Sequence, residues 1–191
     1  MNAIPRWAQC IHHRAGDADQ FVRDYFGRDD RQVLIIGGAG FDPRSRRIPE
    51  TLAEVCSGRL RGLFIREERP NATDALRSQA EANDIEIRKA IPSTEIFSVE
   101  VFDIDNAPIG GRRATKMLHD RIKLEQITDV VLDCSALSSG VMFPIAKYCF
   151  EATRKQGIGT NFHVVVIDDP DTDAAIASTE LPQKLLARGW G

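Results

Sequence analysis

The order of apolar runs in this 191-residue chain predicts an α/β protein, a doubly wound and mostly parallel sheet with helices on both faces. Three observations carry that expectation. Val33-Leu34-Ile35-Ile36 is a continuous apolar run, as a strand covered on both faces requires, and it leads into Gly37-Gly38-Ala39-Gly40. Asp129-Val130-Val131-Leu132-Asp133 and Phe162-His163-Val164-Val165-Val166-Ile167 repeat the buried-strand signature later in the chain. Between these runs lie segments whose apolar residues recur at helical spacing, and strands alternating with helices pack as parallel βαβ units.

Taken in order, residues 17 to 27 place Phe21, Val22, Tyr25 and Phe26 on one helical face, with Gly27 as a stop, and residues 1–30 read as an N-terminal helical extension. Residues 31–191 read as the sheet domain. The first strand is 32 to 37, and a helix runs from Pro49, suited to a first helical position, to Cys56, with Gly58 beyond its end. The loop between them is long for a strand-to-helix connection. Leu63 to Arg66 is the second strand; a helix capped by Asn71 or Thr73 then runs to about Ala82. Ile85-Glu86-Ile87 reads as a short third strand and Phe97 to Phe102 as a fourth. Ala114, Met117, Leu118, Ile122 and Leu124 mark a crossover helix over 112 to 126, and Val141 to Arg154 a further helix before the last strand. The tail ends in Arg188-Gly189-Trp190-Gly191, a frayed terminus or the end of a sensory domain cut from a longer protein.

Composition narrows the function. With 42% hydrophobic residues the chain supports one core, and a net charge of −3 gives no global attraction to nucleic acid or an anionic membrane. No apolar run approaches the roughly 20 residues of a membrane span and no signal-peptide core opens the chain, so a soluble, cytoplasmic protein is expected. Cys10, Cys56, Cys134 and Cys149 are widely separated and read as reduced thiols. Cys10 with His12 and His13 lacks the second half of a metal site.

In such a sheet, ligands bind where loops leave the carboxyl ends of the strands, at the point where strand order reverses. Gly38, Gly40, Asp42 and Arg44 follow the first strand, with Arg46 and Arg47 close behind. Asp103, Asp105, Arg112 and Arg113 follow the Phe97 strand, and Asp133, Ser135, Ser138, Ser139 and Gly140 follow the next. The Ser138-Ser139-Gly140 turn opens a helix, so its hydroxyls and free N–H groups suit a phosphate or ribose oxygen as well as simple capping. Arg112 and Arg113 sit at a helix start, where cations are unfavourable without an anion, although a solvated helix start accounts for Arg113 as well. The candidate ligand cradle is therefore Gly38, Gly40, Asp42, Arg44, Arg112, Asp133, Ser135, Ser138, Ser139 and Gly140.

Other chemistries find less. Pro43 stands where the dinucleotide fingerprint has its third glycine, and no Gly-Lys-Ser or Gly-Lys-Thr follows the loop, which argues against ordinary NAD binding and Walker-type ATP hydrolysis. Cys134 has no histidine evidently placed to activate it and reads as a packed thiol. Asp42, Asp103, Asp105 and Asp133 could hold Mg²⁺ if they converge, but strand-end aspartates also serve as caps and turn residues.

The segment Val130-Val131-Leu132-Asp133-Cys134-Ser135-Ala136-Leu137-Ser138-Ser139-Gly140-Val141-Met142 resembles the second ligand-binding loop of CARF-type domains, Rossmann-like sensors of prokaryotic antiviral defence. The loop Gly37 to Arg44 occupies the place of their other ligand-binding turn, and the element order over residues 31 to 168 is similar. Ser-Ala-Leu-Ser-Ser-Gly stands where that family has Thr-Gly-Gly-Thr-Lys. The resemblance implies a homodimer that binds a cyclic oligonucleotide and switches an effector protein. Ile35 to Arg44 also looks like the first motif of leucine carboxyl methyltransferase-like enzymes, which implies S-adenosylmethionine as cofactor with Glu67 or Glu68 on its ribose. Sirtuin-like NAD hydrolases share a Gly-Ala-Gly turn and an Ile-Pro echoed by Ile48-Pro49, but their Gln-Asn-x-Asp segment and catalytic histidine motif are missing here. A third expectation is a structural subunit whose arginine-rich loops dock a protein.

Overall fold

The computed structural model describes residues 10–56, 58–69, 72–155 and 159–171, and bears out the α/β class. Its elements are α1 (Gly16–Phe26), β1 (Val33–Gly38), α2 (Arg47–Cys56), β2 (Leu60–Glu68), α3 (Asp74–Ala90), β3 (Thr94–Glu100), α4 (Gly110–Arg121), β4 (Asp129–Asp133), α5 (Ser139–Lys155) and β5 (Asn161–Val165). The described strands form one sheet in the order β3-β2-β1-β4-β5, and every pairing is parallel. The order reverses between β1 and β4, which pair Val33 with Asp129 through Ile36 with Leu132.

Alternation along the strands divides the core into two layers. Leu34, Ile36, Val130 and Leu132 face Ala114 and Leu118 of α4 and Val141, Ile145 and Cys149 of α5. Val33, Ile35 and Val131 face the opposite way, toward Phe26 of α1, Leu52 and Cys56 of α2, and Ile87 of α3. β1 and β4 are buried over their whole lengths, as expected of central parallel strands with helices on both sides. Phe26 is 1% exposed, so the helix expected as an extension contributes to the core.

Two expectations are corrected. Ile85-Glu86-Ile87 is not a strand: it lies within α3, which continues to Ala90. Ala80, Asn83 and Ile87 form the buried stripe at helical spacing while Ile85 is 64% exposed, so the apparent alternation is the outside and inside of one helix turn. Asn83-Asp84 resembles a break in sequence, yet Asn83 is buried and Asp84 pairs with Arg66. The strand expected at Phe97 to Phe102 is Thr94–Glu100, followed by a turn closed by a bridge between Phe102 and Pro108.

The long loop after β1 contains a 3-10 turn, Pro43–Arg46, that runs directly into α2. Thr73, not Asn71, caps α3: its Oγ1 accepts the Leu76 N–H. Gly58 closes α2 with φ 84°, a left-handed conformation that favours glycine. Asn71 and the C-terminal Arg188-Gly189-Trp190-Gly191 lie outside the described residues. Among the described residues no helix is long and apolar enough to cross a membrane.

Candidate functional site

The carboxyl ends of β1 and β4 lie side by side, and their loops bring together nine of the ten expected residues at one edge. Gly38 and Asp133 are strand ends; Gly40, Asp42 and Arg44 follow the first and Ser135, Ser138, Ser139 and Gly140 the second. Arg112 is the tenth, in the first turn of α4. That turn lies against α5: a side chain at Gly111 would collide with the Gly140 carbonyl and the Pro144 ring. Pro144 has no N–H for the Gly140 carbonyl four residues earlier, which leaves that oxygen without its usual helical partner.

The two loops touch. A Cβ at Gly38 would fall 2.5 Å from the Ala136 carbonyl oxygen, so glycine is needed there for close approach of the backbones. Gly40, two residues on, is different. A Cβ at Gly40 meets nothing within 4 Å, its φ is not left-handed, and the same holds for Gly140. Both positions therefore leave open space on the side-chain side of the backbone.

The electrostatics differ from a simple basic anion cradle. Arg44 donates Nε to Asp42 Oδ1 at 3.0 Å and Nη2 to Asp42 Oδ2 at 2.7 Å, a two-pronged ion pair whose side chains are each 11% exposed. Asp42 Oδ1 also accepts the Arg44 N–H at 2.9 Å, which caps the 3-10 turn. From α3, Asn83 Nδ2 donates to the carbonyls of Gly40 at 2.8 Å and Asp42 at 3.2 Å, fixing the loop from behind.

Across the crevice, burial pushes Asp133 up to about 6; its hydrogen bonds from Ser135 oppose that, the Asp42 charge adds to it, and the Arg44 charge counters it. Ser135 donates to Asp133 Oδ1 from its hydroxyl at 2.5 Å and its N–H at 2.9 Å, and its Oγ accepts the Ile167 N–H. Burial, reinforced by Asp133, pushes the Cys134 thiol up to about 11, which leaves it protonated at neutral pH.

At the start of α5, Ser138 donates its N–H to Glu67 Oε1 at 2.7 Å, so a carboxylate from β2 occupies one of the helix's free donors. The Ser138 hydroxyl is buried with no hydrogen-bond partner among the described residues, whereas Ser139 and Gly140 are exposed. Arg112 is exposed, and among the described residues its side chain has no hydrogen-bond or ion-pair partner. Its neighbour Arg113 pairs with Glu100.

The other carboxylates serve the backbone. Asp103 Oδ1 accepts the N–H groups of Asp105 and Ala107 at 3.0 and 2.8 Å, a turn that shapes the β3–α4 loop. Among the described residues no three His, Cys, Asp or Glu side chains group as metal ligands. His13, set beside Cys10 in sequence, stacks on Phe21 at 4.5 Å.

Sequence reasoning missed three features. Glu67 as the partner of Ser138 and Asn83 as the loop tether both come from elements distant in sequence, so no local signal marks them. At the opposite edge, Asp129 is fully buried and accepts from Tyr25 Oη at 2.9 Å, Thr128 Oγ1 at 2.6 Å and Asn161 Nδ2 at 3.3 Å, with His163 Nε2 at 2.9 Å. Burial alone raises such a carboxyl, but the bonds from His163, Thr128 and Tyr25 and the charge of His163 outweigh it and hold Asp129 below its ordinary value. Tyr25 is pushed up to about 12 by burial and by Asp129. The pattern Tyr25…Asp129…His163 was visible as residue types, but nothing in their spacing brings them together. No protein-family model and no curated protein matches the sequence of this chain.

Proposed function

We propose that this chain is a noncatalytic, Rossmann-like regulatory domain that binds a nucleotide or another phosphorylated small molecule at the β1/β4 edge and controls a partner protein. The resemblance of its two loops to CARF-type sensors implies a role in prokaryotic antiviral defence, with a homodimer and a cyclic oligonucleotide as the implied assembly and ligand. The observation that supports the site is the pair of open glycines: at Gly40 and Gly140 the space a side chain would fill is empty, on the two loops that meet where strand order reverses. Ser139 stands exposed next to Gly140 as a hydroxyl partner, and Arg112, exposed in the first turn of α4 that packs against Gly140, as a cationic one. Arg44 contributes to loop shape through Asp42 rather than as a free phosphate contact.

The noncatalytic reading is supported by the state of the nearby groups. Asp133 is engaged by Ser135, and Cys134 remains a thiol at neutral pH. The methyltransferase reading, with S-adenosylmethionine as cofactor, draws less support, because Glu67 takes the Ser138 N–H and Glu68 accepts the Ser98 hydroxyl at 2.8 Å. Those are the two acids that would hold the ribose.

The test is thermal unfolding of the chain with cyclic oligonucleotides, ATP, NAD and S-adenosylmethionine. A ligand at 100 times its dissociation constant stabilises the fold by about 2.7 kcal/mol. Stabilisation by cyclic oligonucleotides that is lost in Gly40→Val, with the unliganded melting temperature of the variant unchanged, is the expected result. Stabilisation by S-adenosylmethionine alone supports the enzyme. No response to any of them, with a complex broken by charge reversal at Arg44 or Arg47, supports the docking subunit.

A further inference from the structure

The two edges of the sheet are treated differently. β3 carries Glu95 and Glu100 toward solvent, and these pair with Arg121 and Arg113 of α4. Such charges guard an edge strand against further pairing. β5, Asn161–Val165, carries no Lys, Arg, Asp, Glu or Pro, and the chain continues apolar through Val166 and Ile167. Its outer backbone edge is unpaired among the described strands.

The exposed apolar surface of β5 lies on one face. Phe162 packs into the α4/α5 layer, Val164 follows on the same side at 56% exposure, and Val166 continues the spacing at 68%. The reverse face of β5 is covered, since Val165 packs into the α1/α2 layer and His163 contacts Phe26. Beside the open face runs α5, whose Phe150 meets Phe162 at 6.4 Å between ring centroids. Phe143, 66% exposed, precedes Phe150 by about two helical turns and stands on the same side of α5. Phe143, Val164 and Val166 thus leave large apolar side chains exposed on α5 and along the edge of β5.

We propose that the chain's own segment 172–191 covers this face. That segment begins seven residues after the end of β5 and supplies Ile176, Leu181, Leu185, Leu186 and Trp190. Its twenty residues reach at most roughly 66 Å when extended, ample to return along a five-residue strand. A segment tethered this closely acts at an effective concentration in the millimolar range, about a thousandfold above a second copy at micromolar concentration. That difference favours the segment over a dimer partner as occupant.

The sequence holds two tryptophans, Trp7 and Trp190, so Trp7→Phe leaves Trp190 as a single reporter in the full chain. Its fluorescence is expected to be shifted to the blue and shielded from acrylamide, and both properties are expected to be lost in Val164→Asp with Val166→Asp. Leu185→Asp with Leu186→Asp leaves every residue of the sheet unchanged and is expected to have the same effect, which separates lost docking from lost folding. Trp190 emission like that of free tryptophan, or emission unmoved by either pair, overturns the proposal. So does a dimer by light scattering that dissociates in Val164→Asp with Val166→Asp while Trp190 remains solvent-like.

Discussion

Glu67 Oε1 accepts the Ser138 N–H at 2.7 Å, so the first free donor of α5 is held by a carboxylate that arrives 71 residues earlier in the chain. The contact links the end of β2 to the β4–α5 loop across the end of β1, which lies between them in the sheet. Glu67 thus does for α5 what an N-terminal cap normally does from within its own helix.

Removing that carboxylate is expected to destabilise the fold by about 1 kcal/mol in Glu67→Ala, the usual worth of a helix cap. Glu67→Gln keeps an acceptor oxygen without the charge and is expected to lose less. Urea unfolding of the two variants measures the difference; equal losses would show that charge contributes and hydrogen-bond geometry does not.

Gly38 and Gly40 are two residues apart and are expected to respond oppositely to alanine. Gly38→Ala drives a Cβ onto the Ala136 carbonyl and is expected to cost about 1–3 kcal/mol as overpacking. Gly40→Ala meets open space and is expected to be neutral or slightly stabilising, by up to about 1 kcal/mol, through the unfolded chain. Melting temperatures of the pair decide it, and a large loss at Gly40 would mean that its backbone conformation, not only its space, requires glycine.

Asp133 makes a pH prediction with a definite sign. Its value rises from 3.8 to about 6 in the folded protein, so between those values the native state holds more protons than the unfolded state. Its contribution to stability therefore falls as pH rises through that window and stays low above about pH 6. A rise of that size corresponds to roughly 3 kcal/mol. Asp133→Asn keeps an oxygen for Ser135 and is expected to flatten the slope between pH 4 and 6 and to gain stability at pH 8. Stability profiles of parent and variant that run parallel would rule this out.

Asp129 has the opposite sign, because its folded value is lowered. Its stabilisation is present above the ordinary carboxyl value and is lost as pH falls through the folded one. Asp129→Ala leaves Tyr25, His163 and Asn161 without a shared acceptor and is expected to cost about 3–5 kcal/mol, as for breaking a buried pair. Tyr25→Phe removes one bond to a charged acceptor and is expected to cost about 1.5–3 kcal/mol. Denaturant midpoints of the two variants provide the check.

The parallel sheet was legible because its central strands, Val33-Leu34-Ile35-Ile36 and Val130-Val131-Leu132, are apolar on both faces, and helical spacing separates them. The edge that gathers the candidate site followed from the topology alone. What local pattern could not supply is partner choice. Ile85 and Ile87 alternate as strand residues do, and only the burial of Ala80 and Asn83 assigns them to a helix. Likewise Arg44 is a loop arginine in sequence, and its commitment to Asp42 depends on a 3-10 turn that folds the two side chains back on each other.

The placement of β1 between β2 and β4 also sets an order of assembly. β1 can pair with β2 and β3 can join them once Glu100 has been made, but the other side of β1 waits for Asp129–Asp133. At roughly 5–20 residues per second of synthesis, the interval from Glu100 to Asp133 lasts about two to seven seconds. During that time the most apolar strand of the chain has one unpaired side, and a nascent chain stalled with β3 but not β4 outside the ribosome is expected to recruit chaperones that a chain extended past β5 does not.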